Sequence, residues 1–287
     1  MNFDYEFYYE GFFGYSLTQD FEYWSLAHLL PIFLLIGAII ATYFLRNKIK
    51  NCKFEESLRF ILGFLLILNE GFYYWRVMYV GNGGSSDPTQ LITKIPLQVC
   101  EWSAYISAFM LMKKSKHAFD ICFYVCLTLG IIPYFMPAVI MQTGPGYARY
   151  YQFWIEHLIP VYAVFYMMFV HGFKPNYKKV YKPFAMLAIL ATLAIIANYN
   201  IEGANFMYLA SGTAGDSIAN MLPESIPVRL LLYIGILIVL FSLLSLPQII
   251  RDIKAFKAKK KAYIKQDEKS LTNDYNEPKN PDLNDND

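Results

Sequence analysis

Seven apolar runs, each near the roughly 17–25 residues that carry a helix across bilayer hydrocarbon, alternate in this chain with loops whose basic residues fall on every second one. The runs are read at 24–45, 58–79, 95–112, 119–140, 153–170, 184–199 and 228–246. Arg46, Lys48, Lys50, Lys53 and Arg59 occupy the first loop, Lys113, Lys114 and Lys116 the third, and Lys174, Lys178, Lys179 and Lys182 the fifth. The second loop holds only Lys94, the fourth only Arg149, and the sixth none before Arg229. Basic loops stay on the cytoplasmic side, so the pattern requires an odd number of spans, with the N-terminus outside and the C-terminus in the cytoplasm. The expected fold is an all-α, polytopic seven-helix transmembrane bundle.

Composition agrees, since 56% hydrophobic and 17% charged residues are too apolar a balance for an ordinary soluble domain. Residues 1–22 form an aromatic, acidic extracytoplasmic segment carrying Asp4, Glu6, Glu10, Asp20 and Glu22 without Lys or Arg, unlike a signal peptide. Residues 23–250 hold the spans. Residues 251–287 make a cytoplasmic tail, basic from Arg251 to Lys265 and then, from about Gln266, too polar to fold. A multi-pass protein of the cell membrane is expected, with membrane lipids as partners and no nucleic acid. No Walker loop, nucleotide fingerprint or metal motif occurs, and no cofactor is expected. Of the four cysteines, Cys52 falls in a loop, Cys122 and Cys126 share a helix face in a packing role, and Cys100 stands alone near the other side.

Placed by depth, the intramembrane polar residues crowd the outer half. His28, Cys100, Glu101, Glu156, His157 and Arg229 lie within about two turns of their spans' outer starts at roughly 1.5 Å per residue. Arg76 and Asn198 sit where spans two and six exit, with Asn69 and Glu70 deeper. Ionisable groups in spans are costly and usually face a bundle interior or wet cavity, which points to a polar chamber open to the outer leaflet. No comparable cluster is expected on the inner side.

Cys100 and His157 carry the chemistry in this chamber. A thiol becomes a useful nucleophile when a base or positive charge supports its thiolate. Pro96 suits the first turn of a helix, which places Cys100 about one turn inside it. Gln98, Arg76 and N–H groups at that helix start are candidate oxyanion donors, and Glu101 and Glu156 are candidates to orient the histidine. The face Cys100, Ala104, Ser107 and Leu111 reads equally as a small-residue packing seam. His28 suits an interfacial or core histidine as well as a base. The same chamber fits a second reading, a non-enzymatic protein that binds or transports a lipid or small solute.

Ala27-His28-Leu29, Ile95-Pro96-Leu97-Gln98-Val99-Cys100, Trp154-Ile155-Glu156-His157 and Asn205-Phe206-Met207-Tyr208-Leu209 together resemble the YwaF-like family of bacterial integral membrane proteins, over about residues 20–250. That family is related to a eukaryotic transmembrane acyltransferase with a cysteine active centre, which moves fatty acyl groups between phospholipids. The resemblance implies Cys100 as nucleophile and His157 as its partner, and draws Asn205 and Tyr208 into the chamber from the sixth loop. The family often carries His where Gln98 stands here, which leaves proton transfer to His157 or His28.

Overall fold

The structure is a computed structural model that describes residues 12, 21–80, 95–135, 144–210 and 223–276, with side chains of 75–80 and 267–276 outside the description. Every regular element among these residues is helical: α1 (Leu26–Lys50), α2 (Glu55–Val80), α3 (Val99–Lys113), α4 (Lys116–Thr128), α5 (Ile132–Phe135), α6 (Ala148–Phe169), α7 (Tyr181–Asn200) and α8 (Ile226–Asn276). A 3₁₀ turn over Leu129–Ile131 joins α4 to α5, and two more lie at Tyr177–Lys179 and Phe206–Tyr208. The N-terminal segment, apart from Phe12 and the residues from Phe21 on, and the tail beyond Asn276 lie outside the described residues.

Local chemistry sets these ends. Ser25, extended at φ −67° and ψ 170°, precedes α1, whose last turn carries Lys48 and Lys50 against the negative end of the helix dipole. Lys114, in the left-handed region at φ 48°, ends α3, and the Ser115 hydroxyl accepts the Ala118 N–H at 3.3 Å to start α4. With two residues between them, α3 and α4 form a tight helical hairpin.

Among the described residues, four helices are long and apolar enough to cross a membrane: Leu26–Lys50, Lys116–Phe135, Tyr177–Asn200 and Ile226–Gln266. Only 22% of the apolar window in α1 is buried, against 56% in Lys116–Phe135. Leu26, Phe33, Leu34 and Phe44 of α1 are exposed, as lipid-facing positions are. At the centre, α2, α3 and α6 pack on one another through Leu66, Ala104, Ala108 and Ile159. Gly63 permits that approach, because a Cβ there would stand 3.0 Å from Met112 Cγ and 3.1 Å from the Ala108 carbonyl. The chain divides into two compact units, Met1–Ser242 and Leu243–Asp287. In the second, backbone helix continues through Asn276, where the tail was expected to lose order from about Gln266. Ala, Lys, Gln and Glu are strong helix formers, so the backbone can coil without a core.

Two boundaries differ from the sequence reading in ways that matter. Helix α3 begins at Val99 rather than 95, because Gln98 is extended (φ −93°, ψ 152°) and serves as its N-cap. Cys100 is therefore the second residue of the helix, not one turn inside it. Helix α2 begins at Glu55, a turn before the expected span, and buries Glu55 and Arg59 that the loop reading left outside.

Candidate functional site

Where α3 begins beside the middle of α6, the Cys100 thiol, the Glu156 carboxylate and the His157 imidazole bring one ligand-type atom each to within 4.8 Å of one another. Glu156 and His157 are buried, while Cys100 is half-buried. A Glu156 carboxylate oxygen lies within 4.8 Å of the thiol. His157 Nδ1 lies 2.7 Å from the carbonyl of Phe153, one turn back on α6. A carbonyl only accepts, so Nδ1 carries the ring proton of the neutral form and Nε2 keeps its lone pair. The group that orients His157 is thus a backbone carbonyl, in place of the carboxylate of Glu101 or Glu156 that the sequence suggested. Pro160, four residues after Glu156, has no N–H to give the Glu156 carbonyl and interrupts the α6 ladder beside the site.

Cys100, as the second residue of α3, lies among the N–H groups that have no partner within the helix and at the positive end of its dipole. Glu101 spends part of its carboxylate on capping, since Oε2 accepts the Gln98 N–H at 2.9 Å. Glu70 and Glu101 nevertheless join Glu156 within electrostatic reach of Cys100. Arg149, counted in the sequence only as a loop charge, reaches Glu70, Tyr73 and His157, and its guanidinium sits 4.8 Å above the Tyr73 ring. Buried Glu70 Oε1, Tyr74 OH, Gln152 Oε1 and Arg149 Nη1 have no hydrogen-bond partner. Orphaned buried polar atoms are costly, and such a concentration marks a place prepared for a ligand or water.

Residues 198–210 pack against this corner. Gln98 Oε1 accepts the Met207 N–H at 3.0 Å, while Asn198 holds Phe206 at both ends, with Oδ1 on its N–H at 2.7 Å and Nδ2 on its carbonyl at 3.0 Å. Asn205 Oδ1 accepts the Ala210 N–H at 3.1 Å. Arg229 donates to the carbonyls of Pro223, Tyr208 and Ala210. Met207 and Tyr208 both have φ of 54°, a left-handed conformation that non-glycine residues adopt at a cost and that these tethers hold. Gln98, Asn198 and Asn205 therefore shape the loop, and Gln98's carbonyl oxygen faces a donor.

His28 is placed elsewhere. Its Nδ1 accepts the Trp24 N–H at 3.0 Å and its Nε2–H donates to the Tyr134 carbonyl at 2.7 Å, amid the rings of Phe21, Tyr23, Trp24 and Trp154. Both nitrogens are engaged, so no basic lone pair remains. Tyr134 OH in turn donates to the His157 carbonyl at 2.8 Å. Asn69 is a staple between α2 and α6: its Nδ2 donates to the Gln152 carbonyl at 3.1 Å and Gln152 Nε2 returns a bond to its own at 3.4 Å. The Arg76 side chain lies outside the described residues. Below Cys100 the same α3 face is indeed a seam, with Ser107 Oγ 3.4 Å from Cys122 Sγ and 3.8 Å from Cys126 Sγ.

A polar network at the far end of α2, α3 and α6 corrects the expectation that the buried polar residues crowd one end of the bundle alone. Glu55 Oε1 accepts from Arg59 Nε at 2.7 Å, Tyr166 OH at 2.9 Å and His171 Nε2 at 2.7 Å. Arg59 also donates to the Leu111 and Met112 carbonyls, and Lys114 Nζ lies 3.8 Å from Glu55 Oε2. Burial works to raise the Glu55 pKa, but the bonds from His171, Arg59 and Tyr166 and the Arg59 charge outweigh it and hold the carboxyl below its ordinary range. Burial pushes the His171 pKa down despite its bond to Glu55, aided by the Lys114 and Arg59 charges.

An all-helical membrane protein with a thiol, an imidazole and a carboxylate gathered among its central helices is the class this architecture defines. A family model described as the TMEM164 family matches residues 23–245, and the chain belongs to that family. No curated protein and no solved structure matches the chain.

Proposed function

We propose that this TMEM164-family protein is a membrane-embedded acyltransferase or acyl-ester hydrolase that acts on lipid esters through an acyl-Cys100 intermediate. The observation that carries this reading is the clustering of Cys100 with His157, whose Nδ1 is tied to Phe153 so that Nε2 is the basic nitrogen. His157 Nε2 takes the thiol proton as Sγ attacks the ester carbonyl carbon. The tetrahedral oxyanion is met by N–H groups at the start of α3. The departing lipid alkoxide leaves with the proton held by His157, and a thioester remains on Cys100. An acceptor alcohol, or water, then attacks the thioester as His157 takes its proton, and the thiolate leaves as the protonated thiol. Transfer and hydrolysis differ only in the second nucleophile.

The same reading places the protein in the cell membrane as seven spans, with Cys100 near the outer face and the basic tail in the cytoplasm. Alternating loop charge supports it. Cysteines introduced singly into the second, fourth and sixth loops react with an impermeant maleimide in intact cells, and those in the first, third and fifth do not; the reverse pattern would overturn the orientation. For the chemistry, protein trapped with a phospholipid donor carries an acyl mass on the Cys100 peptide that hydroxylamine removes. Acylation found on Cys52, Cys122 or Cys126 instead, or transfer undiminished in Cys100→Ala, would sink the assignment in favour of a lipid-binding protein.

A further inference from the structure

The acyl-transfer reading uses Cys100 and His157 and leaves Glu156 idle, although a carboxylate oxygen lies within 4.8 Å of the thiol. Sulfur, nitrogen and oxygen donors converging on one point make a different kind of site. We infer that Cys100, Glu156 and His157 bind a divalent cation of the zinc class, and that the metal, by occupying the thiolate, holds acyl transfer off; only this second clause rests on the function proposed above.

Three features support the metal. The donor set of thiolate, imidazole and carboxylate matches zinc's ligands, and three protein ligands leave a fourth position for water or substrate. The ligand atoms lie within 4.8 Å of one another. Tetrahedral bonds of about 2.0–2.3 Å bring ligand atoms to about 3.5 Å apart, so side-chain adjustment without backbone change closes the site. Next, His157 has the outer bond that metal-bound histidines have: Nδ1–H is fixed on the Phe153 carbonyl, which leaves the Nε2 lone pair as the one available to a metal and raises its donor strength. Finally, charge favours a cation. Thiolate and Glu156 carboxylate together carry two negative charges, which a divalent ion neutralises with release of the thiol proton to solvent. Glu101 lies in electrostatic reach of Cys100, and Glu70 Oε1 is buried without a hydrogen-bond partner.

Such a site sets the state of Cys100. With metal bound, the sulfur lone pair is committed and Nε2 cannot take a proton, so neither nucleophile nor base is available. With metal removed, both return. The Cys122 and Cys126 pair offers no rival, since Ser107 is the polar group that meets both sulfurs and a third ligand type is missing among the described residues.

Cobalt(II) is the probe, because it takes zinc's ligands and reports them by absorption. Detergent-purified full-length protein, stripped with chelator and titrated with Co²⁺, should bind one equivalent with a thiolate-to-cobalt charge-transfer band and the strong visible bands of four-coordination. Zn²⁺ should bleach both. The charge-transfer band should vanish in Cys100→Ser and persist in Cys52→Ser and Cys122→Ala, and Glu156→Gln and His157→Ala should weaken binding at least about tenfold. Zn²⁺ should slow iodoacetamide alkylation of Cys100 by a similar factor, with recovery on chelation. A band that survives Cys100→Ser, or affinity unmoved by His157→Ala and Glu156→Gln in protein of wild-type thermal stability, would overturn the site. Cys100-dependent transfer without any cobalt band retires the metal and keeps the enzyme. A Cys100-dependent band in a protein with no acyl transfer keeps the metal and retires the enzyme.

Discussion

Helices α2, α3 and α6 meet twice, and the two meetings are built on opposite terms. At one end Glu55 receives three hydrogen-bond donors on a single oxygen, with Arg59 at its side and Lys114 beyond. About 22 Å along α2, fifteen residues at roughly 1.5 Å each, Glu70 faces Glu101 and Glu156 with Arg149 in reach and one carboxylate oxygen unmatched. Buried charge that is paired and bonded holds helices in register, whereas a buried carboxyl oxygen left without a partner marks a place where water or a ligand would be accommodated. The same three helices thus carry a clasp at one end and a candidate reaction site at the other.

The largest effect that tests this contrast is on chemistry. Cys100→Ala should lower acyl transfer by at least about 10³-fold, as loss of a covalent nucleophile does, with the thermal unfolding midpoint in detergent close to wild type. A large fall in the midpoint would make Cys100 part of the packing seam. Arg59→Met should do the reverse: it strands Glu55 and costs roughly 3–5 kcal/mol of stability, while transfer per folded molecule is retained. Equal stability in the two variants would erase the distinction between the ends.

His157→Ala should slow alkylation of Cys100 at neutral pH by about 10²-fold, the lower range of general-base effects, whereas His28→Ala should change stability and leave the alkylation rate alone. An alkylation rate moved by His28 and untouched by His157 would assign the base to the wrong residue.

Smaller still is the pH response of the clasp. The folded pKa values of Glu55 and His171 both lie below their ordinary values of 4.5 and 6.5, so on acidification the unfolded chain takes up protons first. Stability should therefore weaken as pH falls through 6.5 with His171, and further below 4.5 as Glu55 is protonated. Unfolding midpoints between pH 7.5 and 5 should show the first part of this decline in wild type and lose it in His171→Gln; parallel curves would mean His171 contributes nothing to the pH response. Gln98→Ala, which removes the tether to Met207, should cost about 1 kcal/mol and loosen the loop, seen as faster amide exchange at 206–209.

Much of the fold was legible because lipid imposes simple demands on a chain. Helices of the apolar runs, their order and the membrane class follow from length and hydropathy, since a segment in hydrocarbon must satisfy its own backbone. Cys100 and His157 were legible as odd residues in apolar runs. Glu55 and Arg59 were misplaced because span-reading begins where charge ends, while the real helix starts a turn earlier and buries both. Arg149 and Gln152 were passed over because a lone basic residue reads as a topology mark and a lone amide reads as nothing.

Residue types along the chain determined by themselves that this protein is helical, that it belongs in a membrane, and which few side chains have chemistry to offer. Tertiary structure alone decided which of them meet. In one dimension His157 was the favoured base and His28 remained a possible substitute. Packing gives His28 partners at both nitrogens, whereas it turns His157 toward a thiol and a carboxylate. Partner identity is a property of distances between helices far apart in sequence, and neither periodicity nor composition encodes those distances.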